Sequence, residues 1–137
     1  MWWNDPDAIV LTGDLSEEEF RFHATAIYAC GGMILSGDDL TTISAPRLAM
    51  LRKLQPPTAR AARFADDSLQ VGTIALPKAF AVVLLNWQDQ SQELSFRLNG
   101  RYAVRELWTD EQLGTREGRV TLTVPAHGGR VALCRPL

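Results

Sequence analysis

Two hydrophobic periods divide the chain. Ahead of the Pro56-Pro57 pair, short apolar runs alternate with stretches whose apolar residues recur every three or four positions, and beyond it apolar and polar residues alternate one by one. Ala8-Ile9-Val10-Leu11 reads as a first strand, closed by Thr12-Gly13-Asp14. Ser16 followed by Glu19 then has the spacing of a capping box. Leu15 and Phe20 stand at the positions of a hydrophobic staple, and three glutamates suit the positive end of a helix dipole. Together these signals are worth about 1–2 kcal/mol to the helix start. Phe20, Ala24, Ile27 and Tyr28 share one face, and Gly31-Gly32 stops the helix.

Met33-Ile34-Leu35 is short and wholly apolar, which predicts a buried strand. A second helix follows over 44–54, with Ser44 as its cap, Pro46 in the first turn, and Leu48, Leu51 and Leu54 along one side. Strand, helix, strand, helix with apolar strands predicts a parallel sheet covered by helices. After the prolines, six strands are expected: 69–74, 81–87, 94–98, 102–108, 120–124 and 131–133, with Asn99-Gly100 as a hairpin turn. That pattern predicts an antiparallel sandwich or barrel-like sheet. The fold class is therefore α/β plus all-β, with a boundary that gives segments 1–55 and 56–137.

Charge supports the same division. Residues 1–55 hold four basic against eight acidic side chains, a net −4, and residues 56–137 hold ten against eight, a net +2. The whole chain of 137 residues is close to balanced at −2, so no general basic field exists to hold nucleic acid or an anionic membrane surface. No apolar run approaches the ~18 residues of a membrane span, and Met1-Trp2-Trp3-Asn4-Asp5 has the form of no secretory signal, which predicts a cytoplasmic chain. Cys30 and Cys134 match no metal or redox spacing; they could form one disulfide, and read rather as buried thiols.

Asn4-Asp5-Pro6-Asp7 is the densest polar cluster of the first half. On an extended segment Asp5 and Asp7 would point to one side, as an acid–base pair, metal ligands or acceptors for a sugar, whereas the plainer reading is a capped turn around Pro6. Asp38-Asp39 follows the second expected strand, where loops from the carboxyl ends of parallel strands meet. His23 and His127 lack any nucleophile context and read as structural or surface groups. Trp2, Trp3, Trp87 and Trp108 could stack on sugar rings, but their apolar settings favour core positions. A calcium site at either aspartate pair would need six to eight oxygen ligands that the sequence does not supply, so no metal and no cofactor are expected.

Trp2-Trp3-Asn4-Asp5-Pro6-Asp7, Leu15-Ser16-Glu17-Glu18-Glu19, the segment from Gly32 to Leu40 and Ile43-Ser44 resemble the end of the catalytic barrel of α-galactosidases of glycoside hydrolase family 36, with family 27 a near relative. Leu85-Asn86-Trp87, Leu107-Trp108-Thr109-Asp110, Leu113-Gly114 and Val124-Pro125-Ala126-His127-Gly128 are similar to the C-terminal domain of the same enzymes. The resemblance implies that 1–55 form the last two strand–helix units of a (β/α)8 barrel and 56–137 an antiparallel β-sandwich. It implies a retaining mechanism with two carboxyl groups about 5–5.5 Å apart, on strands that precede this segment. No catalytic residue is then expected here, and the isolated chain should be inactive. Trp3, Asn4, Asp5, Asp7, Asp38 and Asp39 would form the pocket wall at the carboxyl ends of the strands, the implied ligand being a terminal α-linked galactoside or oligosaccharide bound by the complete enzyme. A second copy of the chain is an admissible partner, and the alternative reading is a non-catalytic carbohydrate-binding or assembly module.

Overall fold

Serine followed three residues later by glutamate opens the first helix as the pattern predicts. The computed structural model describes residues 4–137. In it Glu19 N–H donates to Ser16 Oγ (3.3 Å) and Ser16 N–H donates to Glu19 Oε2 (2.8 Å), so α1 spans Glu17–Cys30 behind a complete capping box. Leu15 stays exposed while Phe20 is buried, so the staple position adds little burial. Gly31 ends the helix with φ 63°, the left-handed conformation that a residue without Cβ adopts at low cost. Buried Phe20, Ala24, Ile27 and Tyr28 form the predicted face, joined by Thr25 and Ala29.

Two short strands flank this helix. β1 (Ala8–Ile9) pairs in parallel with β2 (Leu35–Ser36), Ala8 opposite Leu35 and Ile9 opposite Ser36. The pairing is extended at its two ends by Met33 N–H to Asn4 O (3.1 Å) and Gly37 N–H to Ile9 O (2.9 Å). The expected strand 8–11 is thus cut to two residues, although Leu11 is buried beyond it. The expected burial of Met33-Ile34-Leu35 is not met: Met33 and Leu35 are exposed and Ile34 is half-buried, because among the described residues β2 has only β1 as a strand partner. α2 (Ala45–Lys53) follows with Pro46 in its first turn. Ser44 takes the extended cap conformation but its side chain makes no cap hydrogen bond, and Met50 and Leu54 rather than Leu48 and Leu51 are the fully buried residues.

The rest of the chain is one six-stranded antiparallel sheet in the order β3-β4-β5-β8-β6-β7, formed by β3 (Arg63–Phe64), β4 (Val71–Leu76), β5 (Ala79–Leu85), β6 (Gln92–Glu106), β7 (Gln112–Val124) and β8 (Gly129–Pro136). The hairpin expected at Asn99-Gly100 is absent. Those residues lie inside the single long strand β6, whose register against β7 shifts between Leu98 and Tyr102. A two-residue turn and a strand irregularity can both use a glycine with positive φ, here Gly100 at 129°, and only long-range pairing distinguishes them. Before the bulge β6 pairs with β7 alone, and after it Tyr102–Glu106 also pair with β8. The sheet can therefore fold over itself, and Leu94, Phe96 and Leu98 of β6 pack with Val82 and Leu84 of β5 and Ala132 and Cys134 of β8. A sandwich-like pair of layers results, while no barrel is formed by the described residues.

Alternation on β5 sets where the cores lie. Val82 and Leu84 face the sandwich interior, while Ala81 and Val83 face α1 together with Val131 of β8, in a core that also holds Ile9, Leu11, Met50 and Leu54. The two segments on either side of Pro56 therefore share apolar packing. Gly129 marks the closest approach: a Cβ there would lie 2.5 Å from Thr25 Oγ1 and 2.7 Å from the Arg21 carbonyl oxygen. Across the same seam Trp108 Nε1 donates to Thr25 Oγ1 at 2.9 Å, both groups buried.

This seam yields a stability prediction. Thr25→Val keeps shape but leaves the buried indole N–H without an acceptor, and Gly129→Ala forces a Cβ against backbone, so each should cost about 1–3 kcal/mol. Urea unfolding is the measurement, with far-ultraviolet dichroism for the helices and indole emission for the sheet. Both signals should fall together at a lower midpoint in each variant. Loss of helix well before loss of the indole signal would contradict the shared core.

Candidate functional site

The polar residues singled out in the first segment are held by short-range hydrogen bonds whose geometry follows from their side-chain length. Asp5 Oδ1 accepts Asp7 N–H at 3.1 Å, and Asp7 Oδ1 accepts Ala8 N–H at 2.7 Å with Asp7 itself at φ 69°. These are the turn-capping roles open to aspartate on both sides of Pro6. Asn4 Nδ2 donates to Cys30 O at 2.9 Å, fastening the start of the described chain to the end of α1. Asn4, Asp5 and Asp7 all precede β1, so they do not stand at the carboxyl end of that strand, contrary to expectation. Trp3, with Trp2, lies outside the described residues.

Asp38 and Asp39 do follow a strand, β2, as expected. Asp38 is the half-buried hub of the loop: its Oδ1 accepts Leu11 N–H (2.8 Å), Thr12 N–H (2.9 Å) and the Thr12 hydroxyl (2.8 Å), and its Oδ2 accepts the Ser36 hydroxyl (3.1 Å). One carboxylate thereby ties the carboxyl end of β1 to that of β2. Asp39 accepts Thr41 N–H (2.9 Å) and the Thr41 hydroxyl (2.6 Å), and these bonds hold its carboxyl below the usual aspartate range. A lowered value is the reverse of what a general acid needs. The structure thus separates the two polar groups: Asn4, Asp5 and Asp7 sit at the amino end of the strand pair, Asp38 and Asp39 at the carboxyl end. Among the described residues no three His, Cys, Asp or Glu side chains are placed to hold a metal ion.

Cys30 and Cys134 are free thiols, the first half-buried and the second buried. Burial pushes the Cys134 thiol up to about 12, which leaves it protonated and unreactive at neutral pH. Trp108 is core, as expected, but Trp87 is not. It follows the last residue of β5 by two positions, past the point where the sheet covers side chains, and stands exposed.

Two buried polar residues were invisible to periodicity. Asn86 bridges two loops with its side chain, and Glu106 accepts Thr109 N–H (2.6 Å), the Thr109 hydroxyl (2.8 Å) and Val131 N–H (3.3 Å). Their positions beside strand ends are the available signal, since turns there leave backbone groups to satisfy. Near them Asp110, in the turn after β6, takes Lys53 Nζ at 2.6 Å and also pairs with Arg105, while the same Nζ donates to Trp108 O at 2.8 Å. The Lys53 hydrogen bond, followed by the two cationic charges, holds the Asp110 carboxyl below its ordinary range.

Residues 66–133 match the family model of the alpha galactosidase C-terminal beta sandwich domain. No curated protein matches the chain by sequence. Among solved structures, α-galactosidase I from Mortierella vinacea is similar over 98% of this chain and 40% of its own, with TM-score 0.82 and 24% identity. A GH27 β-L-arabinopyranosidase from Geobacillus stearothermophilus shares 98% of this chain and 37% of its own at TM-score 0.84 and 16% identity. The α-galactosidase of Saccharomyces cerevisiae gives 98% and 47% at TM-score 0.76 and 14% identity. At these identities the likeness is one of fold, and the chain spans less than half the length of each of the three.

Two measurements test the roles of these carboxylates. Asp38→Ala should destabilise the chain by about 1–3 kcal/mol, since backbone donors of Leu11 and Thr12 lose their acceptor, and Asp38→Asn by less. An unchanged or raised urea midpoint would instead mark Asp38 as a group kept for a ligand. Asp110 is more acidic folded than unfolded, so its pairing contributes stability that is complete above the ordinary aspartate range near pH 4 and is lost as pH falls through the lowered value. Comparing Asp110→Asn with the parent chain by thermal melting should show a deficit at pH 7 that shrinks on acidification, and a deficit constant with pH would refute the ion-pair role.

Proposed function

We propose that this chain is the C-terminal part of a retaining α-galactosidase-like glycoside hydrolase acting on terminal α-linked galactosides, and that it supplies the bracing domain and part of the pocket wall, not the reacting carboxylates. The observation that carries the reading is the match of residues 66–133 to the alpha galactosidase C-terminal β-sandwich domain, on a chain whose fold follows α-galactosidase structures almost from end to end. On this reading residues 1–55 are the last two strand–helix units of the catalytic barrel and 56–137 the sandwich. The parallel pairing of β1 with β2 across α1 supports that division, because a parallel pair joined by a helix is the repeating unit of such barrels.

Function then follows from position. In a barrel of this kind the sugar lies at the carboxyl ends of the strands, the end that Asp38 and Asp39 occupy. Asp38 fixes the two loops there to each other, which is how a wall residue serves catalysis without touching the reacting carbon. For Trp3 the wall role rests on the sequence resemblance alone, and Asn4, Asp5 and Asp7, which precede β1, are left out of it. The aspartate nucleophile and acid/base that the reaction needs belong to strands outside this segment.

The test is an assay on an aryl α-D-galactopyranoside. The chain alone should give no turnover above the blank, and the polypeptide extended upstream through the barrel should hydrolyse the glycoside with α-galactose as the first-formed anomer. Turnover by the chain alone, or the β anomer as first product of the extended polypeptide, would overturn the reading.

A further inference from the structure

One cluster of aromatic and polar side chains lines a pocket that the roles described so far do not use. Trp87 is 46% exposed although Leu85 and Asn86 before it are buried. Its ring is nonetheless held in place. Phe22 of α1 meets it edge-on at 4.6 Å and 79°, and its Nε1 donates to Leu69 O at 3.4 Å. Beside it lies a pocket of about 210 Å3 lined by Glu19, Phe22, Trp87 and His127.

The polar groups of this pocket are half used. Glu19 gives Oε2 to the capping box, and His127 gives Nε2 to Asp89 Oδ1 at 2.8 Å. Glu19 Oε1 and His127 Nδ1 carry no hydrogen bond among the described residues. The walls are also fixed from behind. Buried Asn86 donates to the carbonyls of Gln90 (2.8 Å), Val124 (3.1 Å) and Pro125 (2.8 Å) and accepts Gln88 N–H (3.0 Å), so the loops on either side of the pocket are stitched together. His127 stands at φ 48° with its N–H on Gln88 O. A non-glycine residue keeps such a conformation only where its surroundings impose it.

We infer that this pocket binds a single neutral pyranose ring, its C–H face on the Trp87 indole and its hydroxyl groups on Glu19 Oε1 and His127 Nδ1. An exposed, immobilised indole offers the flat apolar face that a sugar's C–H side can cover, while a carboxylate oxygen and an imidazole nitrogen at the rim match hydroxyls that both donate and accept. The pocket, about 210 Å3 and open to solvent, has room for one ring. Charge limits the occupant further. An anionic ligand would face Glu19 and Asp89, and a purely apolar one would cover Glu19 Oε1 and His127 Nδ1 without giving them a hydrogen bond. The site is far from Asp38 and Asp39 in role, being built from α1 and the sheet loops and not from the strand pair.

The galacto configuration of the probe rests on the proposed function, whereas the pocket does not. The experiment is titration of the isotope-labelled chain with methyl α-D-galactopyranoside, following indole and backbone amide resonances. A saturable shift is expected at the Trp87 indole N–H and around Glu19, Phe22 and His127, with Trp108 unmoved and a dissociation constant of about 1 mM or weaker. Trp87→Ala should weaken binding about tenfold or more. Glu19→Gln, which still completes a capping box and so preserves the helix start, should weaken it several-fold. No saturable shift at Trp87, or binding that survives both substitutions, would overturn the proposal. Turnover plays no part in this readout, so a silent titration leaves the enzyme reading standing, and an active isolated chain leaves the pocket standing.

Discussion

Everything in this molecule depends on one apolar seam, the contact of α1 with the outer face of β5 and β8. Phe20, Ala24, Ile27 and Tyr28 cover Ala81, Val83 and Val131, and the fit requires that β8 present no side chain at Gly129. The buried Trp108–Thr25 hydrogen bond crosses the same surface. Because β5 is buried on both faces, α1 is its outer layer, as the folded-over half of β6 is its inner one. Neither layer can leave without exposing a strand made almost wholly of aliphatic residues. The proline pair at 56–57 changes the hydrophobic period of the chain without interrupting this packing.

Local signals were legible in the sequence wherever a local cause decides the outcome. The capping box at Ser16, the glycine stop at Gly31 and the buried face of α1 each depend on residues within one or two turns. The unbroken apolar run of β5, covered on both faces, and the alternation at the end of β7, covered on one, likewise follow from which faces are covered. Long-range causes were not legible. Asn99-Gly100 has the composition of a turn, yet β7 continues past it and keeps the chain extended, with a bulge taking up the mismatch. Met33-Leu35 has the composition of a central strand, but burial needs neighbours on both sides and only β1 is present among the described residues. Trp87 has an apolar approach from β5, but the strand ends two residues too soon to cover it.

The same contrast holds for the chemistry. Aspartates that look reactive when read by type prove to be acceptors for nearby backbone N–H groups: Asp5 and Asp7 in one turn, Asp39 in another, Asp38 across two loops. A carboxylate that accepts from backbone N–H groups in this way is fixed in direction and suited to holding a surface in shape. Sequence spacing cannot separate this use from catalysis, because both require a short acidic side chain at a strand end. What separates them is the count of donors that reach each oxygen, which only the folded chain sets.

α1 therefore acts at three places through three different forces. Its apolar face holds the sheet, the carbonyl of its last residue Cys30 receives Asn4 and so anchors the entry to β1, and its first two turns supply Glu19 and Phe22 to the Trp87 pocket. Arg47 of α2 adds a lateral brace, its guanidinium 3.4 Å from the centre of the Phe20 ring and 3.1 Å from Glu17 Oε1. A rigid rod of fourteen residues fixed at both ends and along one side cannot shift at one of these places alone. Loops at the carboxyl ends of β1 and β2 and the pocket beside Trp87 are thus referred to a common frame, and the sandwich, by clamping that frame, sets the geometry of both without contributing an atom to the strand pair.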